Sequence, residues 1–346
     1  MDDSRRAFSD LTLEGQIRRL RRLAHEALVA YGHDRAALRL LSSIQNTTFR
    51  VRTVSGEQFA LRISHPGAGE AEVRSELLWL DALRQDTALG VPEPVWTRDG
   101  NLLAVLGGDA VGGRRPCVLF RWLDGRQVDR DALTPQRFEQ VGALMAGLHT
   151  HARHWQPPAD FARYRIDADI VAGFVQDVLP NVARALSETS DAATVVARTA
   201  DAVVAAMREL GDDRDVFGVV HADLSPSNVL FDRRGQAQAL DFDDCCWGHY
   251  LYDMGLTVRD VELERSEPAL RAALLRGYRT VRPLPPEHAA LLDTFVAAVN
   301  LLRMLWVLGR AEQPTHRDWA PAFVARSLDR LRSFLQCGAA SRSETG

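Results

Sequence analysis

From Val219 the chain reads Val219-Val220-His221-Ala222-Asp223-Leu224-Ser225-Pro226-Ser227-Asn228-Val229-Leu230-Phe231. It turns at Asp232–Gly235 and resumes as Ala239-Leu240-Asp241-Phe242-Asp243-Asp244. Short apolar runs bounded by turn residues read as strands. Each of these delivers polar groups at its end: His221 and Asp223 after Val219-Val220, Asn228 before Val229, and Asp241 after Leu240. Leu224 and Pro226 stiffen the intervening loop, which can hold a carboxylate and an amide about one metal ion's width apart. Such hard oxygen donors suit Mg²⁺, which keeps several waters and needs few protein ligands when phosphates share its shell. Phosphoryl transfer in turn asks for neutralised phosphates and a positioned hydroxyl more than for covalent help. Asn228 and Asp241 fit as Mg²⁺ ligands beside ATP, and Asp223 fits as the carboxylate that accepts a hydrogen bond from an attacking hydroxyl. An isolated His-x-Asp or an isolated acidic turn is common. The joint spacing, with each part at a strand end, is what points to chemistry.

The pattern His-x-Asp-Leu-x-x-x-Asn followed by Asp-Phe resembles the catalytic-loop and metal-binding signatures of protein kinases. The form here, HADLSPSN, then LDFDD, then YLYDMG, is still more similar to the aminoglycoside phosphotransferase family, whose relatives include choline, homoserine and methylthioribose kinases and a bacterial stress-response protein kinase. The resemblance spans about residues 35–310, with its sharp motifs between 219 and 255. It implies a catalytic base or hydroxyl-orienting role for Asp223, Mg²⁺ ligation by Asn228 and Asp241, and a bracing role for His221. Asp253 resembles a helix-borne aspartate that holds the catalytic loop through hydrogen bonds. Asp243 stays open between facing an acceptor and capping the next helix.

The same resemblance assigns nucleotide contacts. Ser43 and Asn46 lie where the family has its phosphate-covering hairpin, here without glycine, and an ordinary hairpin remains an alternative. Arg62, in Phe59-Ala60-Leu61-Arg62-Ile63, matches the strand position whose lysine grips phosphates in kinases. An exposed strand arginine is the competing reading. Its expected partner is Glu76 in Glu-Leu-x-x-Leu, with Glu72 a neighbour four positions earlier on the same helical face. The backbone from Arg121 to Leu123 resembles the adenine-holding hinge.

The elements that must position these groups follow from periodicity. Leu13, Ile17, Leu20, Ala24 and Leu28 mark an amphipathic helix over 12–31, and Val73, Leu77, Leu80 and Leu83 another over 70–84. Strands are expected at 37–41, 48–54, 58–64, 94–97, 102–106 and 117–123, with 107–115 a surface loop. Thr134-Pro135 reads as a helix start. Helices are then expected at 168–187, 191–210, 266–280, 286–309 and 320–336, around a strand-rich island at 217–243. The fold class is therefore α+β. The resemblance makes it bilobal and protein-kinase-like, with a small antiparallel-sheet N-lobe and a larger, mainly helical C-lobe. Its expected segments are an N-terminal helix (1–34), a nucleotide-binding lobe (35–123), a helical lobe carrying the catalytic loop and acceptor site (124–337) and a disordered tail (338–346).

Composition sets the bounds. The 346 residues are 46% apolar and 25% charged with net charge −4, which argues against a nucleic-acid partner. All 42 basic residues are arginine, so every cation at neutral pH is a guanidinium or a protonated histidine. The four cysteines show no CxxC or zinc spacing, consistent with a reduced, cytoplasmic protein. The stretch Thr294–Leu308 is interrupted by Asn300 and Arg303 and reads as a buried helix, not a membrane span. The expected activity is transfer of the ATP γ-phosphate to a hydroxyl of a small molecule (an amino acid, amino alcohol, sugar or aminoglycoside) by a monomer or homodimer. A protein Ser/Thr kinase, a catalytically weak nucleotide-binding module and a Mg²⁺-dependent hydrolase are the alternatives.

Overall fold

The computed structural model describes residues 6–129, 132–185, 191–262, 268–313 and 315–343. They divide into two compact units. The first runs to Gly125 and takes in Gln156–Arg163; the second comprises Arg126–Trp155 and the chain from Tyr164 onward. The segment 156–163, read from sequence with the helical lobe, thus belongs with the first unit, as does the N-terminal helix.

In the first unit α1 (Leu13–Ala30) starts at Thr12, whose hydroxyl accepts from the Gly15 amide at 3.2 Å. Five strands follow: β1 (Ala37–Ser43), β2 (Thr47–Arg52), β3 (Gln58–Ile63), β4 (Ala104–Gly108) and β5 (Gly113–Arg121). They form one antiparallel sheet in the order β1-β2-β3-β5-β4. α2 (Glu70–Asp86) lies between β3 and β4 in sequence. Side chains alternate faces along a strand. Phe59, Leu61 and Ile63 therefore join Leu20, Leu23 and Leu28 of α1 in one buried cluster, while Arg62 points to the opposite face and meets α2 through Glu76.

Two expectations fail here. The segment 107–115 is not a surface loop: β4 and β5 run into it and pair as far as Gly108–Gly113. Its glycines look like loop residues in sequence, but Gly107 and Gly113 take φ of 92° and 126°, where they bend a tight hairpin. Residues 94–97 make a single bridge, Pro94 to Phe120, because proline carries no N–H to continue a ladder.

The second unit is built on helices: α3 (Pro135–His154), α4 (Ala168–Ala185), α5 (Ala192–Leu210), α6 (Tyr250–Glu262), α7 (Pro268–Arg279), α8 (Pro286–Ala290), α9 (Leu292–Leu308) and α10 (Ala320–Ser343). Thr134 caps α3 with Pro135 in its first turn, as expected. The helix expected over 286–309 breaks into α8 and α9 at Leu291. The tail expected as disordered from 338 continues α10 through Ser343, since its alanines and Arg342 tolerate helix well; residues 344–346 lie outside the described residues.

Two helix contacts are set by glycine. A Cβ on Gly277 would lie 2.0 Å from the Glu139 carbonyl oxygen and one on Gly142 2.1 Å from that of Leu274, so α3 and α7 meet backbone to backbone. Gly255 likewise admits α9, with the Phe295 carbonyl carbon 2.7 Å from a Cβ there. Among these helices sit two small sheets: β6 (Arg126–Gln127) with β9 (Val229–Phe231) and β10 (Ala237–Ala239), and β7 (Arg165–Ile166) with β11 (Cys246–His249) and β8 (Phe217–Val220).

Candidate active site

In the second unit, β8 is buried along its whole length and ends at Val220. The next residues form a loop that the α6 residue Asp253 holds by its carboxylate. One Asp253 oxygen accepts from the Ala222 amide at 2.7 Å, and the other from the His221 amide at 2.9 Å and from His149 Nε2 at 3.1 Å. Burial acts to raise the Asp253 carboxyl, but the His149 hydrogen bond leads the contributions that hold it below the usual carboxylate range. Burial also lowers His149, so it is neutral, donating from Nε2 and accepting the Tyr278 hydroxyl at Nδ1 (3.1 Å). These three donors fix Ala222 at φ 62°, a conformation alanine rarely takes.

His221 braces the other side of the loop. Its Nε2 lies 2.9 Å from the Leu240 carbonyl and must donate there; its Nδ1 then accepts from the Asp223 amide at 3.3 Å. The ring packs on Phe242 with centroids 4.4 Å apart. Leu240 in turn donates its amide to the Asn228 carbonyl at 2.8 Å, which joins the two polar strand ends. Asp241 follows with φ 61° and is exposed. Thr257 on α6 donates to the Leu224 carbonyl at 2.7 Å and closes the loop from below.

Asp223 and Asn228 are in direct contact. The Asn228 amide nitrogen donates to the Asp223 carboxylate at 2.7 Å and to its carbonyl at 2.9 Å. Both donor bonds point one way, so the Asn228 amide oxygen faces away from Asp223. That leaves the amide oxygen as a group that could ligate a hard cation. Among the described residues no group of three or more His, Cys, Asp or Glu is arranged for a metal. The other Asp223 oxygen accepts from Arg303 on α9, which also reaches both Asp260 oxygens at 3.3 Å. Burial pushes the Asp223 carboxyl above its ordinary value; Arg303 and His221 oppose this, and Asp260 and Asp243 add to it. Asp243 is half-buried on the turn after Phe242.

Arg303 and Asp260 were not singled out from sequence. The available signal was the interruption of an apolar helix by Asn300 and Arg303, since polar groups that become buried need polar partners. Asn300 indeed accepts from Arg259 at 3.4 Å, and Arg259 donates to Asp260 at 2.7 Å. His149 and Tyr278 carried no motif.

In the first unit, Arg62 makes a two-pronged pair with Glu76, at 2.9 and 2.5 Å, with both side chains buried. The guanidinium also lies over the Phe120 ring at 5.4 Å. Arg62 is therefore not an exposed strand arginine. Ser43 and Asn46 flank the turn between β1 and β2. The Ser43 hydroxyl bonds that of Thr47 at 2.9 Å, and the Asn46 side-chain oxygen accepts from the His65 amide at 3.1 Å. At the end of β5, the Arg121 amide donates to the Glu93 carbonyl and the Trp122 amide to the Gln58 carbonyl.

Comparison with known proteins shows the family. The phosphotransferase enzyme (APH) family matches residues 37–291, and the chain belongs to that family. It is thus a phosphotransferase of the kinase-like fold. A homoserine kinase of Methylobacterium nodulans is 28% identical over 324 residues, covering 88% of this chain and 95% of that protein. A microcompartment-associated aminopropanol kinase superposes with a TM-score of 0.77 at 29% identity, covering 91% of this chain and 98% of that one. An amicoumacin kinase in complex with AMP-PNP, Ca²⁺ and Ami shares the fold, with a TM-score of 0.74 at 20% identity over 93% of this chain and 96% of that one. The four cysteines are unbridged, and among the described residues no helix is long and apolar enough to cross a membrane.

Proposed function

We propose that the protein transfers the γ-phosphate of ATP to a hydroxyl of a small molecule, with Asp223 orienting and deprotonating that hydroxyl. The observation that carries this reading is the Asn228 amide bonded to the Asp223 carboxylate, which sets a base and a cation-ligating oxygen on adjacent groups. Asn228 and Asp241 would hold Mg²⁺, which when bound neutralises and orients the phosphates. In the first unit Arg62 would serve the phosphates, its direction fixed by Glu76; Ser43 and Asn46 would cover them. Adenine would be held at Leu123, since the Arg121 and Trp122 amides already bond within their own unit. Asp253 and His221 do no bond-making: they hold the loop, and so the Asp223 carboxylate, in one place.

The raised Asp223 carboxyl suits the role, because a stronger base takes more of the hydroxyl proton in the transition state. A small acceptor, not a protein, is supported by the chain after Asp241. It enters β11 at Cys246 and α6 at Tyr250, which leaves only a short segment between the Asp241 turn and the helix. The relatives named for homoserine and aminopropanol favour an acceptor that carries an amino group beside its hydroxyl. Asp243, whose charge adds to the rise of the Asp223 carboxyl, would suit such a cation, whereas Asp260 is already paired with Arg259 and Arg303.

The test is product formation from Mg²⁺-ATP over a panel of amino alcohols, hydroxy amino acids and aminoglycosides. One acceptor should be phosphorylated, and Asp223→Ala should abolish this while ATP still binds. Full turnover in Asp223→Ala would remove the assignment.

A further inference from the structure

Away from Asp223, the second unit holds an open cleft of about 370 Å³ between α3, α6, α7 and the Arg282–Pro285 segment. That volume falls in the roughly 300–1,000 Å³ range of small-molecule sites. Met254 and Leu284 give it an apolar wall, and Arg153, Asp215 and Arg282 a charged one in which the two guanidinium groups outnumber the carboxylate. Arg282 is only 8% exposed. Its guanidinium donates to the carbonyls of Asp215 (2.8 Å) and His149 (3.4 Å) and lies over the Tyr250 ring at 4.6 Å. Among the described residues no carboxylate pairs with it, because the Asp215 side chain is taken by Arg153. A buried guanidinium without a counter-charge is costly unless an anion joins it. The cavity is where that anion can sit.

The cavity also borders the support of the catalytic loop. Tyr278 lines it, and the Tyr278 hydroxyl begins the hydrogen-bonded series through His149 to Asp253 and on to the amides of His221 and Ala222. Arg282 touches the same series at the His149 carbonyl. A ligand that draws on Arg282 or Tyr278 therefore alters the bonds that hold Asp253.

We propose that this cavity is a second ligand site, taking a small carboxylate with an apolar tail, and that its occupancy is passed to the catalytic loop through Tyr278, His149 and Asp253. The name catalytic loop rests on the phosphotransfer reading above; the site itself does not.

The test uses the full chain and 4-phenylbutyrate, with its uncharged amide as the comparison. Calorimetry should give saturable binding of the acid, at least tenfold tighter than the amide. Arg282→Gln should weaken it at least tenfold. If that variant does not fold, Arg153→Gln at the rim and Leu284→Trp, which fills the apolar wall, should do the same. Hydrogen exchange should then show altered protection of the His221 and Ala222 amides on addition of the acid, an effect lost in Tyr278→Phe while binding persists. Equal affinity for acid and amide, or no binding by either, overturns the site. Binding without any change at those two amides overturns the coupling. Neither measurement needs an acceptor or turnover, so failure here is distinct from failure of the proposed reaction.

Discussion

Asp223 is held by two neighbours of different kinds, the neutral Asn228 amide and the charged Arg303. Arg303 opposes the burial that raises its carboxyl, so Arg303→Gln should move the acid limb of kcat/KM to higher pH, since that limb reports the free enzyme's base. An unchanged limb would show that Arg303 does not set the charge of Asp223. Asp223→Asn, which keeps the size but not the basicity, should lower kcat by about 10²–10⁴-fold. In the first unit, Glu76→Ala leaves Arg62 buried without its carboxylate and should cost about 3–5 kcal/mol, read from the urea midpoint. The sequence made Asp223, Asn228 and Asp241 readable because a single loop and hairpin carry them, so their spacing is local. Arg303 reaches Asp223 from 80 positions away on a helix whose other residues only describe a core, and no spacing rule connects the two.

At the scale of elements, two helix pairs rest on missing side chains. Gly277→Ala places a Cβ against the Glu139 carbonyl and forces α7 off α3. A loss of about 1–3 kcal/mol is expected, measured by thermal unfolding; a variant as stable as the parent would mean the helices separate at no cost. Periodicity located most helices and the β1–β3 meander because their apolar faces are regular. It failed over 107–115, where glycine serves a hairpin and not a loop, and at Leu291, where one apolar run covers two helices. In both places the deciding quantity is a backbone angle, which apolar spacing does not encode.

At the scale of the whole molecule, the bilobal α+β class was legible because strands and helices segregate along the chain. The joining of 156–163 to the first unit was not, because that segment lacks apolar periodicity and is placed by single contacts such as the Ala162 amide on the Ser75 hydroxyl (2.7 Å). Acid should weaken the fold in a defined order. His149 and His249 are both held below the ordinary imidazole value by burial. As pH falls through about 6.5 the unfolded chain takes up protons that the folded one does not, and stability declines. Asp253, also held low, contributes stability that is lost only further down, as pH falls through the carboxylate range. Urea midpoints should therefore drop below about pH 6.5, with a shallower slope in His149→Gln; a flat profile contradicts this. The fork of Arg62 on Glu76, in a chain with no lysine, also decides which reagents can report on the protein. Nucleotide acyl phosphates label kinases by acylating a side-chain amine beside the phosphates, and here they would meet only guanidinium. If Arg62 serves the phosphates as proposed, a survey built on that chemistry would pass over the protein, whereas a dicarbonyl such as phenylglyoxal, which condenses with arginine, would register it and be slowed wherever a carboxylate already grips the fork.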